Sequence, residues 1–101
     1  MSSNVVYKFI CANCNDCYIG ETTKRYLDRA KEHLHSDKAS AVYQHLRKSN
    51  ACLGATDESS FSILDRAPTR YQLKIKEALY IEKLKPILNR QKKSIKVELR
   101  L

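Results

Sequence analysis

The chain reads as an α+β domain, a small three-stranded antiparallel sheet flanked by helices in the order β-β-α-α-β-α. Three observations predict it. Val5, Tyr7 and Phe9 alternate with Val6, Lys8 and Ile10 at a period of two, a β-branched and aromatic run suited to a strand. An Asn- and Asp-rich turn then returns the chain to Cys17, Tyr18 and Ile19, a second short strand closed by Gly20, so the two form a hairpin. Downstream, apolar residues recur at helical spacing behind Thr or Ser caps.

Each later element carries its own signal. Thr22 or Thr23 is a good N-cap for a first helix that runs to about residues 33–35. Tyr26, Leu27, Ala30 and Leu34 make its apolar stripe, with Arg25, Arg29 and His33 as a basic row beside it. Ser40 caps a second helix at 41–48, with Val42 and Leu46 inward and His45 next to Leu46. Residues 49–60 read as a polar loop holding Cys52 and Gly54, and Phe61 and Ile63 suggest a third strand.

Thr69 and Gln72, at capping-box spacing, open the longest helix, which ends near Leu84 because Pro86 cannot continue it. On this helix Leu73, Tyr80, Ile81 and Leu84 form one apolar sector, and Tyr71, Ile75, Ala78 and Leu79 a second. Both sides are therefore expected to be covered. Glu77 falls inside the first sector, where a carboxylate is costly unless it is paired, metal-bound or facing a cleft. Beyond Pro86, a basic run at 90–93 precedes a tail in which Ile95, Val97, Leu99 and Leu101 alternate with polar residues. That pattern reads as an extra C-terminal edge strand or a pairing surface.

The 101 residues show no composition break, so one domain (1–101) is expected. Lys and Arg number 19 against 11 acidic residues, a net charge of +8, and they are spread along the chain among six Tyr and two Phe. A positive face of this kind binds polyanions by neutralising phosphates. No stretch approaches the roughly 18 apolar residues that span a bilayer, and MSSNVVYKFI lacks the basic start and apolar core of a signal peptide. The expected setting is nuclear or cytoplasmic, without a membrane. In a reducing compartment the four cysteines point to metal more often than to disulfides. A domain this small buries only about two thirds of its unfolded surface, so a structural metal would supplement its core.

Val5-Val6-Tyr7, a turn and Tyr18-Ile19-Gly20, followed by Arg29, His33, a helical Glu and a later Asn, together resemble the GIY-YIG nuclease superfamily. That group includes phage homing endonucleases, some restriction enzymes and the repair excinuclease subunit. By this resemblance Tyr7 matches the tyrosine of the first motif, although Val5-Val6 stands where the family has Gly-Ile. Tyr18 and Gly20 match the second motif, Arg29 the helix arginine, and His33 the histidine one turn later. Glu77 matches the metal-binding glutamate, and Asn89 the terminal asparagine. The likeness covers residues 5–91. Within it, VVYKFICANC, YIGETTKRYLDRAKEH and SAVYQHL look like the endonuclease domain of Penelope-like retroelements. Those domains carry Cys-x2-Cys just before YIG, and downstream histidines thought to hold zinc.

Cys11, Cys14 and His45 match that pattern; the family's final His is missing, and Cys52 lies one residue beyond its expected place. Zinc takes four Cys or His ligands in a tetrahedron, which Cys11, Cys14, His45 and Cys52 would supply. Cys17 is an alternative ligand, since Cys14-x2-Cys17 also has ligand spacing, and free thiols or a redox pair are the competing readings.

The resemblance implies hydrolysis of phosphodiester bonds in double-stranded DNA with one Mg²⁺ or Mn²⁺ at Glu77, Arg29 neutralising the phosphate, and structural Zn²⁺. Tyr7, Tyr18 and His33 are the candidates for the base. By analogy the cut 3′ end would prime reverse transcription, with a reverse transcriptase or other fused domain as partner. Two other classes compete: a catalytically inactive, zinc-stapled DNA-binding module, and a protein-interaction domain whose alternating tail augments a partner's sheet.

Overall fold

The computed structural model describes residues 4–89. Strand β1 (Val5–Ile10) is the centre of a three-stranded antiparallel sheet, with β2 (Cys17–Thr22) on one side and β3 (Phe61–Arg66) on the other. The architecture is therefore the α+β sheet with flanking helices that the alternation predicted. The extra C-terminal strand and the basic run at 90–93 lie outside the described residues.

Being central, β1 is buried on both faces, so Val5, Val6, Tyr7 and Phe9 are all inaccessible or nearly so. Val5, Tyr7 and Phe9 join Tyr18, Phe61, Ala30, Leu34, Val42 and Leu46 in one core. Val6 joins Ile19, Ala67 and Leu73 in a second core on the opposite face. The period-two pattern thus sorts side chains between two cores rather than between core and solvent.

The first face is covered by α1 (Tyr26–Lys31), which continues into a π-helical turn at Glu32–Ser36, and by α2 (Ala41–Arg47). Helix α1 starts later than Thr22 or Thr23. Thr22 stays in β2, paired with Val5, and its hydroxyl accepts the Lys24 N–H at 2.9 Å. The expected basic row also divides: Arg25 is exposed, Arg29 half-buried and His33 wholly buried. Its apolar neighbour Leu27, expected in the core, is 50 % exposed. His33 is turned in because it lies three residues after buried Ala30 and next to buried Leu34, on the same helix face.

Ser40 caps α2 as expected, its Oγ accepting the Tyr43 N–H at 3.1 Å. The polar loop expected at 49–60 instead holds α3 (Asn50–Ala55), whose cap Ser49 accepts the Cys52 N–H at 3.3 Å. A 3₁₀ turn (Glu58–Ser60) then leads into β3.

The second face is covered by α4 (Arg70–Leu84), capped by Thr69 through the Gln72 N–H at 3.1 Å. Leu73 is fully buried, and Tyr80 and Ile81 pack at the edge of its core. The second apolar sector is not covered by the described residues: Tyr71 is 76 %, Ile75 42 % and Leu79 63 % exposed. A single sheet face can bury only one stripe of a helix, and no further layer lies against the other side among the described residues. Lys85, with φ 47°, closes the helix in a left-handed turn. The chain then returns along β2, where the Leu88 N–H bonds to the Cys17 carbonyl at 3.0 Å.

These assignments separate two leucines on one helix. Leu73→Ala is expected to lower unfolding stability by about 2–5 kcal/mol, and Leu79→Ala by no more than about 0.5 kcal/mol. Urea titration of both variants checks this, and comparable losses would mean that the second sector is covered after all.

Candidate functional site

Antiparallel register places Tyr7 opposite Gly20. The Tyr7 phenol crosses that glycine so closely that a Cβ there would stand 2.5 Å from Tyr7 Oη and 2.9 Å from Tyr18 Cε2. Only glycine admits this approach. Tyr7 and Tyr18, two residues before Gly20, both lie on the α1 face, with ring centroids 6.4 Å apart. His33 reaches the same place from the π turn, its ring 5.6 Å from Tyr7 and 5.5 Å from Tyr18. Its Nε2 is 2.6 Å from Tyr7 Oη, and its Nδ1 is 2.5 Å from Ser40 Oγ.

Arg29 borders this cluster. Its Nη1 donates to Glu32 Oε1 and to Asp37 Oδ2, each at 2.9 Å, and its positive charge acts on the Tyr7 phenol. Burial disfavours its charge, but the hydrogen bond to Asp37 and the other neighbours outweigh that and hold Arg29 protonated. Burial pushes Tyr7 far above the ordinary tyrosine range, with Tyr18 adding to the effect and Arg29 opposing it. Tyr18 is pushed up to about 12, first by burial and then by the charge of Glu77. The charge of Glu77, on α4, therefore reaches both phenols.

Asn89 has a separate position. Its Oδ1 accepts the Ile19 N–H at 2.7 Å and its Nδ2 donates to the Ile19 carbonyl at 2.8 Å. The side chain pairs with β2 as a neighbouring strand would, fixing the segment after α4 against the residue between Tyr18 and Gly20. Of the residues expected at the site, Tyr7, Tyr18, Gly20, Arg29 and His33 come together, Glu77 reaches the phenols by its charge from α4, and Asn89 binds the Ile19 backbone.

Residues that sequence reasoning missed are Ser40, read only as a cap, and the acids Glu32 and Asp37. The Glu32 carboxyl is held below its usual range by Lys24 first and then Arg29, despite partial burial. Arg29 is the main cause for Asp37. Glu32, one turn past Arg29, was the available signal; Asp37, eight residues on, carried none.

A second cluster lies at the end of the hairpin. Cys11, Cys14, His45 and Cys52 bring four ligand atoms within 4.8 Å of one another. Cys14 Sγ is 3.4 Å from His45 Nε2 and 3.9 Å from Cys52 Sγ. A tetrahedron with Zn–S bonds of about 2.3 Å has edges of roughly 3.8 Å, so both the spacing and the soft donors fit a metal such as zinc. Burial opposes ionisation of the Cys11 thiol, but the Cys14 N–H, the His45 ring and their neighbours lower it to about 6. Cys14 moves the other way, to about 11: the Asp16 N–H lowers it, and burial together with Cys11 and Cys52 outweighs that. All four cysteines are free, and Cys17 lies outside the cluster with its Sγ toward the Asn15 carbonyl at 3.8 Å. Cys52 rather than Cys17 completes the set, because α3 carries it inward while β2 turns Cys17 away.

Neither a family model, nor a curated protein, nor a solved structure matches this chain. Among the described residues, no helix is long and apolar enough to cross a membrane.

Two measurements follow from this geometry. Purified protein should carry one zinc per chain by elemental analysis; Cys11→Ser or Cys52→Ser should lose it, and Cys17→Ser should keep it. Chelation should lower the thermal midpoint by about 5 °C or more, and metal-free protein with an unchanged midpoint would remove the metal. The depressed Asp37 carboxyl means that the unfolded chain takes up its proton first. Its contribution to stability is therefore complete above about pH 4 and lost as pH falls further. Asp37→Asn should flatten that acid limb in a plot of urea midpoint against pH, leaving the limb above it parallel to wild type.

Proposed function

We propose that this chain is a metal-dependent DNA endonuclease of the GIY-YIG type with a structural zinc clamp, akin to the endonuclease domains of Penelope-like retroelements. The observation that carries the reading is the meeting of Tyr7, Tyr18, Arg29 and His33 around one point, with the charge of Glu77 in electrostatic reach from α4. The net charge of +8 supports a polyanionic partner such as double-stranded DNA.

Glu77 is the residue to hold Mg²⁺ or Mn²⁺, hard ions that favour a carboxylate and phosphate oxygens. Such an ion supplies charge neutralisation at the phosphate and at the departing 3′ oxygen. Arg29 adds a fixed positive charge and a planar donor set, held in direction by Glu32 and Asp37. Because burial keeps the Tyr7 phenol neutral, it works as a relay rather than as a standing phenolate. Tyr7 Oη takes a proton from the attacking water while its own proton passes to His33 Nε2. The hydroxide so formed attacks phosphorus, and the 3′ oxygen leaves and takes a proton from solvent. Tyr18 and Phe61 wall the histidine ring and keep it from turning. In a retroelement setting, the freed 3′ end would prime synthesis by a reverse transcriptase.

A second reading, a zinc-stapled DNA-binding module without catalysis, is favoured by the engagement of Arg29 with two carboxylates. Plasmid nicking in Mg²⁺ or Mn²⁺ separates the two. Glu77→Ala and Arg29→Ala should each slow nicking about a hundredfold or more, while Glu77→Ala keeps near-normal DNA binding. Equal nicking by wild type and both variants would mark a contaminant and sink the catalytic assignment.

A further inference from the structure

Three buried polar side chains form a line from the sheet to the start of α2. Tyr7, His33 and Ser40 are 2 %, 0 % and 4 % exposed, so their polar atoms must satisfy one another rather than solvent. Tyr7 Oη meets His33 Nε2 at 2.6 Å, and His33 Nδ1 meets Ser40 Oγ at 2.5 Å. The same Ser40 oxygen accepts the Tyr43 N–H at 3.1 Å as the cap of α2.

The direction of the protons follows from the donors around the line. A neutral imidazole has one donor nitrogen and one acceptor nitrogen. The Arg29 guanidinium beside the phenol can only donate, so it is no acceptor for the Tyr7 hydrogen. The phenol's own hydrogen needs an acceptor, and His33 Nε2 lies at the right distance. If Nε2 accepts, Nδ1 carries the ring proton and donates to Ser40 Oγ. That oxygen has two lone pairs, one for Nδ1–H and one for the Tyr43 N–H.

We propose that Ser40 is a positioning residue: by accepting Nδ1–H while capping α2, it holds His33 in the tautomer whose Nε2 accepts the Tyr7 proton. The consequence for hydrolysis rests on the nuclease reading, whereas the tautomer itself does not. Any serine cap would satisfy α2; the added bond to a buried histidine from another element is what distinguishes this one.

Nitrogen-15 labelling of the histidines in the full chain reads the tautomer without any activity, with His33 assigned by comparison with His33→Gln. Wild type should show a protonated Nδ1 and a lone-pair Nε2. Ser40→Asp, whose carboxylate retains both acceptor roles, should show the same pattern, and Ser40→Ala should shift His33 toward the other tautomer. In the nicking assay, Ser40→Ala should lose about ten- to a hundredfold in kcat, and Ser40→Thr should recover to within about threefold of wild type. A wild-type ring with its proton on Nε2, or a folded Ser40→Ala with an unchanged ring spectrum, overturns the proposal. If Ser40→Ala loses its folded amide spectrum, wild type and Ser40→Asp decide. The expected tautomer in a protein that cuts no DNA leaves the role of Ser40 standing and removes the nuclease reading. Nicking with the reversed tautomer does the opposite.

Discussion

The phenol of Tyr7 lies across Gly20, its partner in the β1–β2 register, at a distance that leaves no room for a side chain. From that contact the rest of the tyrosine–histidine cluster is laid out. The phenol oxygen is brought to His33, the ring is walled by Tyr18 and Phe61, and Arg29 is left at the open border. A shift of one residue in the pairing would turn Tyr7 to the α4 face and dismantle the cluster. Register is held by the two cores, since Val5, Tyr7 and Phe9 fit one and Val6 the other.

The Cys/His cluster serves the same arrangement from behind. Helices α2 and α3 are seven and six residues long, too short to be stable by themselves. Cys11 and Cys14 tie them to the hairpin through His45 and Cys52, and a bound metal would turn those contacts into bonds. Helix α2 is also the one that Ser40 caps, so the element carrying His45 at one end meets His33 at the other. The Cys/His cluster and the tyrosine–histidine cluster are thus neighbours through one short helix.

Helix α4 closes the opposite side and contributes to the site only through Glu77. Its buried stripe rests on Val6, Ile19 and Ala67, and Glu77 stands at the margin of that stripe near the two tyrosines. Two contacts lock the helix to β2: the ion pair of Lys74 with Glu21 at 2.8 Å, and the strand-like pairing of Asn89 with Ile19. Both act on the strand that carries Tyr18 and Gly20, so the placement of Glu77 and the geometry of β2 are set together.

Much of this was legible in the chain itself. The alternation of VVYKFI, the Asn-rich turn, the caps Ser40 and Thr69 and the stop at Pro86 are local signals, decided within a few residues, and the elements they predict are present. Cys-x2-Cys spacing likewise belongs to one turn. Other features depend on what lies across the fold, where no local pattern speaks. The apolar sector of Tyr71, Ile75 and Leu79 looked as buried as its neighbour until the sheet was seen to offer it no second face. Cys52 was expected as the fourth ligand with Cys17 as its alternative, and α3 carries the one inward while β2 turns the other away. His33 was expected in a basic row beside the apolar stripe, and packing against the sheet takes it wholly into the core. The hairpin, the capped helices α2 and α4 and the third strand, each set by signals within a few residues, were determined by the sequence alone. The choice among side chains of equal promise was made by tertiary packing, because burial depends on which surfaces the whole chain has left to cover.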